Sequence, residues 1–215
     1  MRWMLLVGSL VLLASFSFAA GQLVSFDGMS PLKDGHKFVP FTGLDTVEYR
    51  GITFKDFIDK EIWLIWQQQL SSEEQQWVPG NKFISKTLFG YTWTNTVYIT
   101  SALSWGTAVP QDTVVAKLVV LDHLNRRHFY PIVAGVHTAE WSQSASPAHS
   151  NDLPFVLGPI VNPPWNGKEY FAEIPLGATI IPKRIYIEYV NPGTSGGALS
   201  ITAITFNRTT ARVYS

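Results

Sequence analysis

The stretch "PKRIYIEYVNPGTSGGALSITAITF", residues 182–206, decides the fold. In its first part Ile185, Ile187 and Tyr189 fall on one phase, and Arg184, Tyr186 and Glu188 on the other. A period of two is the mark of a strand with one face in a core and one in water. In its second part Leu199, Ile201, Ala203 and Thr205 share a face. The Gly- and Pro-bearing "NPGTSGG" between them reads as the loop of a hairpin. Upstream, "TVVAKLVVL" (113–121), the polar "DHLNRR" (122–127) and "HFYPIVAG" (128–135) read as strand, turn and strand, a further hairpin. "YFAEIPL", "NTVYITSAL" and "KFISKTLFGYTW" are additional strand candidates.

One segment, "KDFIDKEIWLIWQQQLSSEEQQW" (55–77), departs from this pattern. Ile58, Ile62, Ile65, Trp66 and Gln69 recur at helical spacing with good helix formers between them. Its centre, "EIWLIWQ", also suits a buried strand, but the spacing favours a helix packed by its Trp face. Strand segments at roughly ten-residue intervals, punctuated by Pro and Gly, predict an all-β sandwich or barrel. We therefore expect an all-β sandwich of jelly-roll type with a short helical insertion in the N-terminal half. No internal repeat or low-complexity linker divides residues 21–215, so a single domain is expected there.

Composition narrows the function classes. The 215 residues carry 16 basic and 16 acidic side chains, a balance that argues against nucleic acid or an anionic membrane as partner. "MRWMLLVGSLVLLASFSFAA" (1–20) has a positive Arg2, an apolar core over Met4 to Leu13 and small residues after it, the pattern of a secretory signal cut near Ala19 to Gly21. Its apolar core is short for a membrane span, and no later run is long enough for one. The expected location is secreted or extracytoplasmic. Cysteine is absent, so disulfides and thiolate metal sites are excluded and burial alone must hold the fold.

Several constellations invite catalytic readings. "GTSGG" (193–197) satisfies G-x-S-x-G, with His149 as a distant base, but a nucleophile elbow runs from strand into helix and a strand follows here. The five histidines, His36, His123, His128, His137 and His149, form no HExxH pattern. Glu140, Glu169, Glu173 and Glu188 offer carboxylates for glycosidase work, but Glu173 and Glu188 fall on the polar phase of their strands and nothing pairs them. "AGVHTAEW" (134–141) is dense in reactive types, yet alternation sends His137 and Ala139 one way and Thr138 and Glu140 the other. It reads as a strand exit bent at Gly135 that presents Trp141. Trp141 and Trp165 border polar, Pro-bearing loops, where an aromatic face suits the C–H face of a sugar ring. Asn207 begins an N-R-T sequon.

"VVAKLVVLDHLNRRHFYPIVAGVHTAEW" (114–141) and "GKEYFAEIPLGATIIPKRIYIEYVNPGTSGGALSITAITF" (167–206) together resemble the galactose-binding-like β-sandwich modules of secreted prokaryotic proteins. The resemblance covers residues 100–206 and leaves out the Trp-rich N-terminal half. It implies a jelly-roll that binds glycans through loops at one end, with a structural Ca²⁺ in some members. No clustered Asp/Asn loop here commits to calcium, so no cofactor is expected. The fold hosts many unrelated activities, so it implies little about function by itself.

The expected function is a non-catalytic exported recognition module that binds carbohydrate or another cell-surface ligand. Trp141 and Trp165 are its expected stacking platforms, and His137, Glu140, Asn151, Asp152 and Asn166 its hydrogen-bonding partners. The alternative is a self-associating structural subunit of a surface layer or filament, favoured by zero net charge and abundant aromatics. A polysaccharide hydrolase is the third reading.

Overall fold

The computed structural model of the chain describes residues 21–24, 46–49, 52–55, 62–64, 83–104, 106–142, 155–157, 168–190 and 198–209. Twelve strands are described. β1 is Gln22–Leu23, β2 Thr46–Tyr49, β3 Ile52–Lys55, β4 Ile62–Leu64, β5 Phe83–Thr87 and β6 Thr94–Ser104. β7 is Val114–Asp122, β8 Arg127–Val133, β9 Phe155–Leu157, β10 Glu169–Ile180, β11 Pro182–Tyr189 and β12 Ala198–Phe206. One sheet runs β1-β12-β6-β10-β9 with β4 also on β12, a second runs β5-β11-β7-β8, and β2 pairs with β3 alone. Every pairing between these twelve strands is antiparallel. Among the described residues there is no α-helix, only a 3-10 turn at Gly106–Ala108.

The two larger sheets share one core. Ala116, Leu118 and Val120 of β7, Ile132 of β8 and Ile185, Ile187 and Tyr189 of β11 meet Val97 and Ile99 of β6, Ile174 and Leu176 of β10, and Leu199, Ile201, Ile204 and Phe206 of β12. The arrangement is β-sandwich-like, held by apolar side chains each worth about 1.5–3 kcal/mol when fully buried. Tyr130 of β8 adds a polar tie, its hydroxyl donating to the Leu176 carbonyl of the opposite sheet at 2.6 Å.

The alternation expected for β11 holds. Ile185, Ile187 and Tyr189 are buried, while Arg184 and Glu188 are exposed and Tyr186 is half-buried. The hairpin of β7 and β8 also holds, with Leu121 opposite Arg127 at its closed end. The expected hairpin over 182–206 does not. β11 pairs with β5 on one side and β7 on the other, so no edge is left for β12, which joins the other sheet. The shared face in β12 is also broken. Ile201 lies opposite Ser101 and Ala203 opposite Thr100, so Thr202 is an extra residue, a β-bulge. Past it the phase reverses, and Ile204 and Phe206, not Ala203 and Thr205, join Leu199 and Ile201 in the core.

The helix expected over 55–77 is corrected where the structure describes it. Lys55 ends β3, and Ile62–Leu64 is a strand opposite Leu199–Ile201. The edge of β12 offers Ile62, Trp63 and Leu64 a backbone ladder, and these types favour a pleated surface, so tertiary pairing overrides helical spacing. Residues 56–61 and 65–77 lie outside the described residues, as does the proposed signal segment 1–20.

The turn between β7 and β8 is built around one carboxylate. Asp122 is fully buried, and its Oδ1 accepts the amides of Leu124 and Arg126, both at 2.9 Å. Its Oδ2 accepts Arg126 Nε at 2.8 Å and lies 3.1 Å from His128 Nε2. Burial pushes this carboxyl up, but the Arg126 amide, the His128 ring and the Arg126 guanidinium outweigh it and lower its pKa to about 2. Because the folded value is depressed, the stabilisation is complete above the ordinary aspartate value of 3.8 and is lost as pH falls through about 2. Urea unfolding of Asp122→Asn at neutral pH should show a loss of about 2 kcal/mol. The variant should also lose the wild-type stability decline in that acid window.

Candidate functional site

The segment singled out in the sequence, 134–141, turns inward. Gly135 takes φ +76, a left-handed conformation that disfavours other residues, and its amide donates to Thr138 O at 2.8 Å. The chain then threads between the diverging ends of β6 and β10. Leu103 N donates to Ala139 O at 2.7 Å, Trp141 N to Leu103 O at 2.9 Å, and Lys168 N to Trp141 O at 2.8 Å. Ala139–Trp141 therefore acts as a short wedge strand, and Trp141 is only 7% exposed. A ring packed this way is not an open stacking platform.

Glu140 is 3% exposed and serves the backbone. Its Oε2 accepts the Gly106 amide at 2.5 Å and its Oε1 the Ser142 amide at 3.1 Å, while its own carbonyl accepts the Tyr170 hydroxyl at 2.9 Å. Gly106 must be glycine at this approach, since a Cβ there would stand 2.7 Å from Leu103 Cβ. His137 is half-buried, and its Nδ1 accepts the Val133 amide at 3.1 Å. Burial lowers its pKa, in keeping with a neutral ring that accepts a bond. Trp141 and Glu140 are thus buried in structural contacts, and the Nδ1 of the half-buried His137 is engaged by the Val133 amide. Trp165, Asn151, Asp152 and Asn166 lie outside the described residues, as do His149 and the "GTSGG" loop.

The open surface lies elsewhere, on the solvent face of the four-stranded sheet. In register, Phe129 of β8, Val119 of β7 and Tyr186 of β11 stand side by side across three strands. Arg127 and Glu188 flank this row, and the five residues enclose a groove of about 250 Å³. Phe129 is 63% exposed, a large apolar side chain in water on an otherwise ordered strand. Arg184 stands beside Tyr186, with its guanidinium carbon 5.9 Å from the ring centre and Nε donating to Thr87 Oγ1 at 3.1 Å. The groove thus offers aromatic faces on an apolar floor with a cation and a carboxylate at its rim. The alternation had put Arg184, Tyr186 and Glu188 on one outward phase, but only cross-strand register brings Phe129 beside them.

Other candidates resolve into structure. Glu173 and Glu188 are exposed as their phase predicted, whereas Glu140 and Glu169 are buried. Among the described residues no group of three or more His, Asp or Glu side chains is placed to hold a metal ion. Asn207, first residue of the sequon, is a brace. Its Oδ1 accepts Thr94 Oγ1 at 2.6 Å and the amides of Asn95 and Thr96 at 3.0 and 3.1 Å. Its Nδ2 donates to Asn95 Oδ1 at 2.6 Å.

No family model matches this chain, and no curated protein matches it. Among solved structures it is similar to the crystal structure of the Agl-KA catalytic domain, at 10% identity and a TM-score of 0.37. That similarity covers 72% of this chain and 26% of that one, so the chain spans about a quarter of its length.

Glu140→Gln should lower stability by about 1–3 kcal/mol in denaturant titrations, because an amide NH₂ then faces a backbone donor. Ligand affinity, wherever measured, should not change with it.

Proposed function

We propose that the protein is an exported, non-catalytic recognition module of jelly-roll type that binds carbohydrate on the open face of its four-stranded sheet. The observation that carries this reading is the groove between Phe129, Tyr186 and Val119, rimmed by Arg127 and Glu188. A sugar ring presents an apolar C–H face that stacks on an aromatic side chain, and hydroxyls that accept from a guanidinium and donate to a carboxylate. The groove has both features, on strands whose backbone is fixed by pairing on the sheet. Preorganisation of this kind reduces the entropy lost on binding.

Strand order supports the jelly-roll. Lettered B to I in chain order, the strands β4, β5, β6, β7, β8, β10, β11 and β12 give B-I-D-G in one sheet and C-H-E-F in the other. That is the arrangement produced by two interlocked Greek keys. It fits the jelly-roll that the resemblance to galactose-binding-like modules implies, with the binding surface moved from the end loops to a sheet face. Export is supported by the sequence of residues 1–20, and no described helix is long and apolar enough to cross a membrane.

Glycan-array screening of the full chain, followed by titration calorimetry on the best ligand, tests the reading. Phe129→Ala and Tyr186→Ala should each weaken binding about tenfold, a loss of about 1.4 kcal/mol, with unchanged melting temperatures. Absence of any glycan ligand, or affinities untouched by both substitutions, would overturn it. Concentration-dependent assembly in light scattering without a glycan response would replace it with the structural-subunit reading.

A further inference from the structure

One end of the molecule is apolar at its tip and basic around it. Four pieces form it: residues 88–93 between β5 and β6, the β7–β8 turn, the junction of β10 and β11 at Ile181, and residues 207–209 after β12. They are tied together by backbone hydrogen bonds. Leu88 N donates to Lys183 O at 2.8 Å, His123 N to Ile181 O at 3.0 Å, and Thr209 N to Trp93 O at 3.0 Å. The Trp93 and His123 rings meet edge to face, with centroids 6.0 Å apart.

Large apolar side chains project from this frame. Phe89 is 85% exposed, Leu124 58% and Trp93 42%. These three are most of the strongly exposed large hydrophobics among the described residues, and they come from two loops that touch. Around them Arg126, Lys183 and Arg208 are exposed, with Lys183 Nζ donating to Asn125 Oδ1 at 2.7 Å. The one carboxylate in these four pieces is Asp122, which is buried and already bonded to Arg126 and the turn amides. A chain with no net charge therefore carries a locally positive end.

Exposed apolar groups rimmed by one sign of charge mark an interaction surface. Leu124 has no aromatic face to stack on a sugar, and both Phe89 and Leu124 sit on loops that protrude instead of lining a groove. Trp is suited to the boundary between headgroups and acyl chains, and basic side chains around an apolar tip complement lipid phosphates. We propose that this end docks on an anionic lipid bilayer. Phe89, Leu124 and Trp93 enter the headgroup layer, and Lys183 and Arg208 meet the phosphates, the Arg126 charge being balanced by Asp122. The tip shares no residue with the sheet-face groove, so the proposal does not depend on glycan binding there.

The test is co-sedimentation of the full chain with vesicles of phosphatidylcholine, with and without phosphatidylglycerol, alongside tryptophan emission. Binding should require phosphatidylglycerol and weaken with salt. Phe89→Ser and Leu124→Ser should each reduce it about tenfold, and Lys183→Gln and Arg208→Gln about fivefold each. These side chains are exposed, so thermal melting of each variant should match the parent. Trp93→Phe should retain most of the binding while losing the vesicle-dependent blue shift. No binding to phosphatidylglycerol vesicles, or equal binding by Phe89→Ser, would overturn the proposal. So would a dimer sealed through Phe89 and Leu124, or binding of a soluble polyanion with Trp93 emission unchanged on vesicles.

Discussion

The hydroxyls of Thr100 and Thr202, 2.8 Å apart and both buried, mark the residue at which β12 changes phase. All nine residues of β12 are buried, between β6 on one side and β1 and β4 on the other. Strict alternation would send Ile204 and Phe206 away from the face that holds Leu199 and Ile201. The extra residue turns both halves of the strand toward the same core, and the Thr202 hydroxyl satisfies itself against Thr100. Phe206 can then meet Tyr91 edge to face at 5.8 Å and lie opposite Gln22 of β1. The closing of the sheet at that end follows from one inserted threonine.

With the inner faces so occupied, the functional surfaces are displaced to places where burial is incomplete. β6 sets the scale: the ten steps along its eleven residues, at about 3.3 Å each, put roughly 33 Å between its two ends. At one end the wedge of Ala139–Trp141 and the Glu140 carboxylate close the gap between β6 and β10, and Glu140 and Trp141 are buried there. At the other, short turns leave Phe89, Trp93 and Leu124 in water. Between them the outer side of β7, β8 and β11 carries the aromatic groove. Each surface is fixed by backbone pairing beneath it, so its side chains need little reorganisation to act.

How much of this was legible in the sequence depended on whether local pattern and long-range pairing agreed. β11 was legible because its alternation is undisturbed and both faces have one environment along their length. The β7–β8 hairpin was legible because a polar turn separates two apolar runs. β12 was misread past Ile201, since a bulge leaves no mark in composition, and its partner was misread because a Gly-rich loop looks the same whether it closes a hairpin or crosses between sheets. At Ile62–Leu64 the residues suit helix and strand alike, and the edge of β12 decides for the strand. For the site, chemical type drew attention to Trp141, Glu140 and His137, whereas burial decides availability. The hairpin sets Phe129 opposite Val119, but nothing in its own neighbourhood in the chain reveals that Tyr186 of β11 stands beyond. The neutral total charge likewise hid the gathering of Arg126, Lys183 and Arg208 at one end.

The Asn207 brace has a consequence for how the protein is made. A glycosylating enzyme needs the asparagine amide in an extended, accessible chain, and here that amide is bonded to Asn95 while its carbonyl oxygen holds the start of β6. In a secretory pathway that modifies Asn-X-Thr, folding and modification compete for the same side chain. β6 precedes Asn207 in the chain, so it is already synthesised when Asn207 emerges. A chain that folds first is sealed against modification. One modified first carries a bulky sugar where β6 and the residue after β12 must meet, and it is committed to a less stable product. The side chain that braces β6 is thus the one a glycosylating enzyme would need, and the two uses exclude each other.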